Sequence, residues 1–205
     1  MILRELNFFL KRIRARSASL LSPVLTRWRF SLNGVEYKSF TCRGVPIVEV
    51  DRSGKLTIGE NFTFYSGTRH NMIGRQQPCY FIVNKNAVLR IGNNVGISCA
   101  AIVCHNSVTI EDNVKIGGGV VIYDTDFHSL NASERNGIPE NFDNVKTNPV
   151  HIKSGAFIGS HATILKGVTV GENSIVASGS VVVKSIPDFE IWGGNPARFI
   201  RVIDA

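Results

Sequence analysis

From residue 152 onward an aliphatic side chain returns at every sixth position, at Ile152, Ile158, Ile164, Val170, Val176 and Val182. Four positions after most of these stands another small or aliphatic residue: Ala156, Ala162, Val168, Ser174 and Ser180. The same step runs earlier through Ile91, Ile97 and Val103, gains one residue, and resumes through Ile110, Ile116 and Ile122. An α-helix would demand spacings of three and four, and a hairpin sheet an alternation broken by tight turns, so a strict six fits neither. It fits three short strands per coil, each aiming one aliphatic side chain inward, with Gly or Asn supplying left-handed backbone at the corners. Coils stacked in this way pair their strands in parallel and bury a continuous aliphatic column. The expected fold class is therefore all-β, a triangular parallel β-helix.

A longer phrase, apolar-x-Ile/Val and then usually Gly, an acid and Asn, recurs at 56–61, 89–94, 108–113, 150–155 and 168–173, and Ile73-Gly74 stands 18 residues before Ile91. Ile110 and Ile152 are 42 apart, one coil of 18 with an excess of 24. That excess has to leave the stack as a loop between 123 and 149, because a solenoid accepts insertions only outside its coils. The β-helix is thus expected over 54–186 with a protruding loop at 123–149. Residues 31–53 should form lead-in strands or a cap on the first coil, and 187–205 a tail turning back over the last one. Residues 1–30 place Leu3, Leu6, Leu10, Ile13 and Leu20 at helical spacing, an amphipathic helix that Pro23 should end or kink.

Charge is concentrated in that helix. Of a formal net charge of +7, residues 1–30 hold +6, from Arg4, Lys11, Arg12, Arg14, Arg16, Arg27 and Arg29 against Glu5. The rest of the chain is almost neutral, which argues against nucleic acid as a partner, since phosphate tracking needs a basic folded body. The helix itself has two readings: it rests on the anionic inner face of a cytoplasmic membrane, or it packs on the prism or between subunits. No apolar run approaches a membrane span, and the arginines interrupt any secretory signal. Cys42, Cys79, Cys99 and Cys104 lack CxxC spacing and read as small reduced thiols of a cytoplasmic protein.

Where the loop begins, Asp124-Thr125-Asp126-Phe127-His128 sets an imidazole beside two carboxylates. A carboxylate on one ring nitrogen fixes the tautomer and raises the basicity of the other, the equipment of a general base; a surface histidine in a polar loop is the plainer reading. His105, one coil earlier, is either an acceptor contact or a corner residue, and His70, His151 and His161 read as surface side chains.

With these motifs the chain resembles the hexapeptide-repeat acyltransferases, over about residues 54–201. The resemblance implies a left-handed β-helix, acetyl-CoA as acyl donor, and a homotrimer with active sites between subunits. It is nearest to the sugar O-acetyltransferases, including the galactoside and maltose enzymes and those that decorate bacterial polysaccharides, and implies a sugar or glycan hydroxyl as acceptor. His128 matches their catalytic histidine, with Asp126 beside it. Arg135 matches an arginine of relatives, for acceptor binding or loop anchoring. The run 159–171, then 177–184 and 194–198, is similar to their acetyl-CoA groove. There Ser160 and Ser178 match positions along the pantetheine arm, and Lys184, Arg198 and Arg201 match cations near the nucleotide phosphates. Phe157 stands where many relatives have Trp, which keeps an aromatic surface and loses an indole donor. Direct transfer needs no nucleophilic Ser or Cys, and no metal is expected.

Competing readings differ in what they require. An amino-sugar N-acetyltransferase would use the same base and donor site. A zinc enzyme like the γ-class carbonic anhydrases needs three converging histidines, whereas no two histidines here are closer than ten residues. A non-catalytic scaffold would not need the loop histidine together with the phosphate cations.

Overall fold

The computed structural model describes residues 2–68, 70, 71, 73 and 77–204, without the side chains of residues 2 and 14–19. Gly74 of the repeat phrase and the side chains of Arg14 and Arg16 therefore lie outside the described residues. Helix α1 (Ile2–Leu32) precedes six coils of three strands each. The first coil is β1 (Glu36–Tyr37), β2 (Phe40–Arg43) and β3 (Ile47–Val50), the second β4 (Lys55–Ile58), β5 (Phe62–Tyr65) and β6 (Tyr80–Val83). The third is β7 (Val88–Ile91), β8 (Gly96–Ser98) and β9 (Ala101–Cys104), the fourth β10 (Ser107–Ile110), β11 (Lys115–Ile116) and β12 (Val121–Tyr123). An excursion containing the short helix α2 (Ala132–Arg135) follows. The fifth coil is β13 (Val150–Ile152), β14 (Phe157–Ile158) and β15 (Thr163–Ile164), and the sixth β16 (Thr169–Val170), β17 (Ile175–Val176) and β18 (Val181–Val182). A hairpin of β19 (Glu190–Gly194) and β20 (Ala197–Val202) ends the chain.

Each face of the prism takes one strand per coil. The first face runs β1-β4-β7-β10-β13-β16, the second β2-β5-β8-β11-β14-β17-β19-β20 and the third β3-β6-β9-β12-β15-β18. Every pairing within the coils is parallel, and between the strands of the described residues the terminal hairpin alone is antiparallel. Repeat residues stack in register, so that Ile91, Ile110, Ile152 and Val170 form one column and Ile97, Ile116, Ile158 and Val176 another. The small residues four positions on are also inward: Ala156, Ala162, Val168, Ser174 and Ser180 are at most 1% exposed.

One position of the repeat is corrected. The third column is Ile102, Ile122, Ile164 and Val182, and Val103 pairs instead with Tyr123 on the half-buried outer side. Consecutive strand residues point to opposite faces, so a one-residue slip exchanges inside for outside. The slip arises at Cys99, whose φ of +47° makes a tight corner and shortens the step from Ile97 to Ile102 to five residues. The longer corner at His105 and Asn106 sets Ile110 eight residues after Ile102, which returns the missing residue and adds the one gained. Elsewhere the left-handed corners use Asn61, Asn94, Asn113 and Asn173. Three of these also bond side chain to side chain, Asn61 to Asn94 at 3.1 Å and Asn94 to Asn113 at 3.2 Å.

The first end of the prism is filled by aromatics. Phe62, Phe64 and Phe81 occupy inward positions, and α1 closes over them with Phe30, which lies 5.2 Å from Phe40 between ring centroids. Pro23 does not end the helix, which is continuous to Leu32. The proline removes one backbone hydrogen bond. Contacts on both sides of it hold the helix in place, since Gly44 N–H donates to Ser22 Oγ at 2.9 Å and Arg29 donates to the Pro46 carbonyl at 2.8 Å. At the other end the two inward serines hold the tail, with Glu190 N–H bonding Ser174 Oγ and Gly194 N–H bonding Ser180 Oγ, each at 3.1 Å.

Ile158 is fully buried in the middle of its column. Ile158→Ala leaves a cavity that the coils above and below cannot close, and should cost about 2–5 kcal/mol in urea unfolding. Val103→Ala, on the outer side, should cost clearly less.

Candidate functional site

The excursion leaves the prism at Asp124, directly after β12. Its buried carboxylate accepts the backbone N–H groups of His105 at 2.7 Å and Asn106 at 2.8 Å, and the Cys104 thiol donates to it at 3.5 Å. Burial first, and the Asp124 charge second, push the Cys104 thiol up to about 12. Asp124 thus clamps the corner of the coil below to the strand end above. It is a framework group and does not face the loop histidine. The outgoing and returning chains then pair antiparallel at Thr125 and Thr147, with Asp126 N–H bonding the Lys146 carbonyl at 3.0 Å and Asn148 N–H the Asp124 carbonyl at 2.9 Å. This ladder makes the loop a stalk with a fixed base.

Above it Phe127 adopts φ +64°, and His128 N–H bonds the Asp126 carbonyl two residues back at 2.7 Å, the pattern of a γ-turn. Such backbone is costly for a bulky residue and is held by its surroundings. Here the Phe127 ring stands edge-on to Tyr123 and to His105, at centroid distances of 4.9 and 5.7 Å. The wedge turns His128 outward, where 57% of its side chain is exposed.

The flanking-carboxylate expectation needs correction. Asp126 Oδ1 pairs with Lys166 at 2.8 Å, its Oδ2 is buried without a partner, and Asp124 is committed to the corner. The carboxylate on the imidazole is Glu140, whose Oε1 lies 2.7 Å from His128 Nδ1. A carboxylate acceptor places the ring proton on Nδ1 and leaves Nε2 free to take one. Phe142 covers one side of the ring at 6.3 Å between centroids.

Arg135 donates to the Ser129 carbonyl at 2.8 Å, within a polar knot around α2. Ser129 Oγ donates to Glu134 Oε2, Asn144 donates to Glu134 Oε1 at 2.6 Å, and Asn131 caps the helix by accepting Ser133 N–H at 3.0 Å. The hydrogen bonds from Ser129 and Asn144 hold the Glu134 carboxyl below its usual value of 4.5.

The remaining candidates lie on other parts of the prism. Phe157, 47% exposed, stacks between Lys115 and Ile175 on the second face and closes a groove lined by Thr63, Tyr65, Ser98 and Gly117. At the corner that follows, a Cβ on Gly117 would come within 2.6 Å of Ser160 N, and one on Gly159 within 2.6 Å of Ser178 N. Glycine at these two positions is what lets the backbones of Ser160 and Ser178 stack so closely. Lys184 is exposed two residues beyond β18, and Arg198 and Arg201 are exposed on β20. Among the described residues no three His, Cys, Asp or Glu side chains converge as a metal site. His151, read as a surface residue, is half-buried and bonds Glu111 at 2.6 Å, and that carboxylate also accepts from Ser154.

Residues 149–184 match the family described as bacterial transferase hexapeptide (six repeats). The chain is a hexapeptide-repeat left-handed β-helix. This β-helix is 35% identical over 130 residues to the galactoside O-acetyltransferase of Escherichia coli (strain K12), covering 63% of the chain and 60% of that protein. A Staphylococcus aureus (strain COL) protein named as an acetyltransferase is 44% identical over 77 residues, 38% of the chain and 36% of the relative. The chain therefore spans less than two thirds of the length of the curated relatives it matches first. Among solved structures, a hexapeptide-repeat acetyltransferase of Vibrio cholerae O1 biovar eltor, complexed with acetyl coenzyme A, superposes with a TM-score of 0.51 at 31% identity, over 57% of this chain and 61% of that one. The repeat-matched span of the β-helix contains Phe157, Ser160, Ser178 and Lys184, and lies beyond His128 and its loop.

Glu140 and Lys166 are the two site residues that motif reading passed over. The Glu134 knot yields a measurable consequence. A depressed carboxyl pKa means that its contribution to the loop is present above the ordinary value of 4.5 and is lost as pH falls through the lowered one. Amide protection at 129–144 should therefore fall below about pH 4.5 before that of the β-helix core does, and Glu134→Gln should flatten that response.

Proposed function

We propose that the chain transfers an acetyl group from acetyl-CoA to a hydroxyl of a sugar, in a bacterial surface polysaccharide, by direct attack with His128 as general base. The observation that carries this reading is the Glu140–His128 pair: an exposed imidazole, turned outward by the Phe127 wedge, with Nδ1 held by a carboxylate at 2.7 Å, which leaves Nε2 to take a proton. The names of the relatives and of the solved neighbour, a galactoside O-acetyltransferase and an acetyltransferase complexed with acetyl coenzyme A, support the acceptor class and the donor.

In the proposed step Nε2 takes the acceptor proton as the hydroxyl oxygen bonds to the thioester carbonyl carbon. The tetrahedral adduct then collapses, the carbon–sulfur bond breaks, and the imidazolium returns its proton to the departing thiolate. Proton transfer of this kind is worth about 10²–10⁴-fold. Holding donor and acceptor in line, and N–H donors on the developing oxyanion, supply the remainder. Ser160 and Ser178 would flank the pantetheine arm along the glycine-lined corner. Lys184, Arg198 and Arg201 would meet the nucleotide phosphates, for which arginine's planar fork is suited. Asp126, His105, Phe157 and Arg135 would shape the acceptor side, with Arg135 anchoring the loop through Ser129. The reading includes a homotrimer with the sites between subunits, acting at the cytoplasmic face where glycan precursors are assembled.

Labelled acetyl-CoA offered with simple galactosides, nucleotide sugars and lipid-linked glycans tests the proposal. His128→Ala should lower kcat about 10²–10⁴-fold. Glu140→Gln should lower it by about tenfold or more, with KM for acetyl-CoA little changed, because the ring keeps its place and loses its fixed tautomer. Equal rates for wild type and His128→Ala would remove His128 from the mechanism. Acetylation of free amines alone would replace the hydroxyl acceptor with an amino sugar.

A further inference from the structure

Helix α1 uses opposite sides for different purposes. Ser22, Thr26 and Phe30, at four-residue spacing, are buried against the first coil. About half a turn away around the helix, Leu6, Leu10, Ile13, Leu21, Val24 and Trp28 form an apolar stripe, 44 to 61% exposed. Among the described side chains the stripe falls in two stretches, 6–13 and 21–28, on the side opposite Ser22, Thr26 and Phe30. The polar side carries Arg4, Lys11, Arg12 and Arg29, with the rings and cations of Arg4, Phe8 and Lys11 stacked at 5.9 and 5.7 Å. Glu5 is the one acid among the first 32 residues.

We infer that α1 is a surface anchor, lying in the headgroup layer of an anionic bilayer with its apolar stripe inward and the β-helix standing on its other side. An apolar face with Leu, Ile and Trp, backed by Lys and Arg, is the pattern of helices that lie in the interface plane. No helix among the described residues is long and apolar enough to cross a membrane, so the anchor lies on the surface. Charge selects the occupant. Anionic headgroups neutralise the seven cations of the first 32 residues, which a single acid offsets, whereas a second copy of α1 on the stripe would bring no acid beyond its own Glu5 to pair with them. The inference is independent of the catalytic reading.

Flotation of the full chain with vesicles of phosphatidylcholine mixed with phosphatidylglycerol, against phosphatidylcholine alone, tests it. The chain should float with the anionic vesicles, less so as salt rises, and Leu10→Glu with Ile13→Glu should abolish flotation. Arg4→Gln with Lys11→Gln should weaken it about fivefold per cation. In a Trp192→Phe background, Trp28 emission should shift to the blue on binding, which a merely electrostatic contact of the β-helix would not produce. Failure to float, flotation indifferent to the stripe substitutions, or unchanged Trp28 emission would each overturn the proposal. So would a loss of lipid-free oligomer mass in the Leu10→Glu, Ile13→Glu variant without any vesicle binding by the wild type, which would make the stripe an interface between copies.

Discussion

Everything in this molecule is built on one stack, in which a single aliphatic side chain per strand points inward and lies on its counterpart a coil away. Parallel strands sit about 4.8 Å apart, so the column leaves no freedom in how far one coil stands from the next. The corners inherit that spacing. A Cβ on Gly117 or Gly159 would meet the backbone of the next coil at 2.6 Å, and left-handed backbone is required at Asn94, Asn113 and Gly179. The corner stacked with Gly119 and Gly179 carries His161 at φ +63°, a side chain in a conformation that glycine serves elsewhere in the column. Core packing thus selects which residues can line the outer groove, and the proposed donor site follows from packing before any contact with a ligand.

The same constraint explains how a long loop can hold a precisely aimed side chain. An insertion cannot enter the stack, so the chain must leave it and come back in register, Val108 beside Val150. Asp124 secures the departure by taking two backbone N–H groups from the coil below, and the Thr125–Thr147 pairing secures the return. With both ends of the stalk tied to the prism, the unfavourable φ of Phe127 can be sustained by its packing against Tyr123 and His105. The histidine's direction is therefore set by framework residues that never touch it.

The coils were legible in the amino-acid sequence because a solenoid repeats its local environment, and six identical environments leave six copies of the same residue choice. Where the environment differs once, the period misleads. Counting sixes places Val103 inward, while the corner at Cys99 closes one residue early and gives that role to Ile102. His128 was legible as a candidate because a histidine between carboxylates is a local pattern. Its actual partner, Glu140, is twelve residues away across a loop with no repeat to fix its geometry, and nothing in spacing separates it from Glu134 or Asp143. Lys166 was hidden for a different reason: it belongs to the coil after the loop, and only the parallel stacking of the third face brings it to Asp126.

A stack of parallel strands also leaves two open ends, each a set of unpaired edges that would invite another chain. The two ends are closed by different means. At the first end the inward positions are Phe62, Phe64 and Phe81, rings too large for an aliphatic column to continue over, and a helix supplies Phe30 to complete the cluster. At the last end Ser174 and Ser180 stand inward beside Val170, Val176 and Val182, and their hydroxyls bond the backbone of a hairpin at Glu190 and Gly194. The helix satisfies its own backbone, whereas the hairpin strand finds partners in β17 and in the two serine hydroxyls. The helical cap has a further effect. Only its last turns are needed for closure, so the preceding turns are free to carry an apolar face and a cluster of cations that the prism itself does not use.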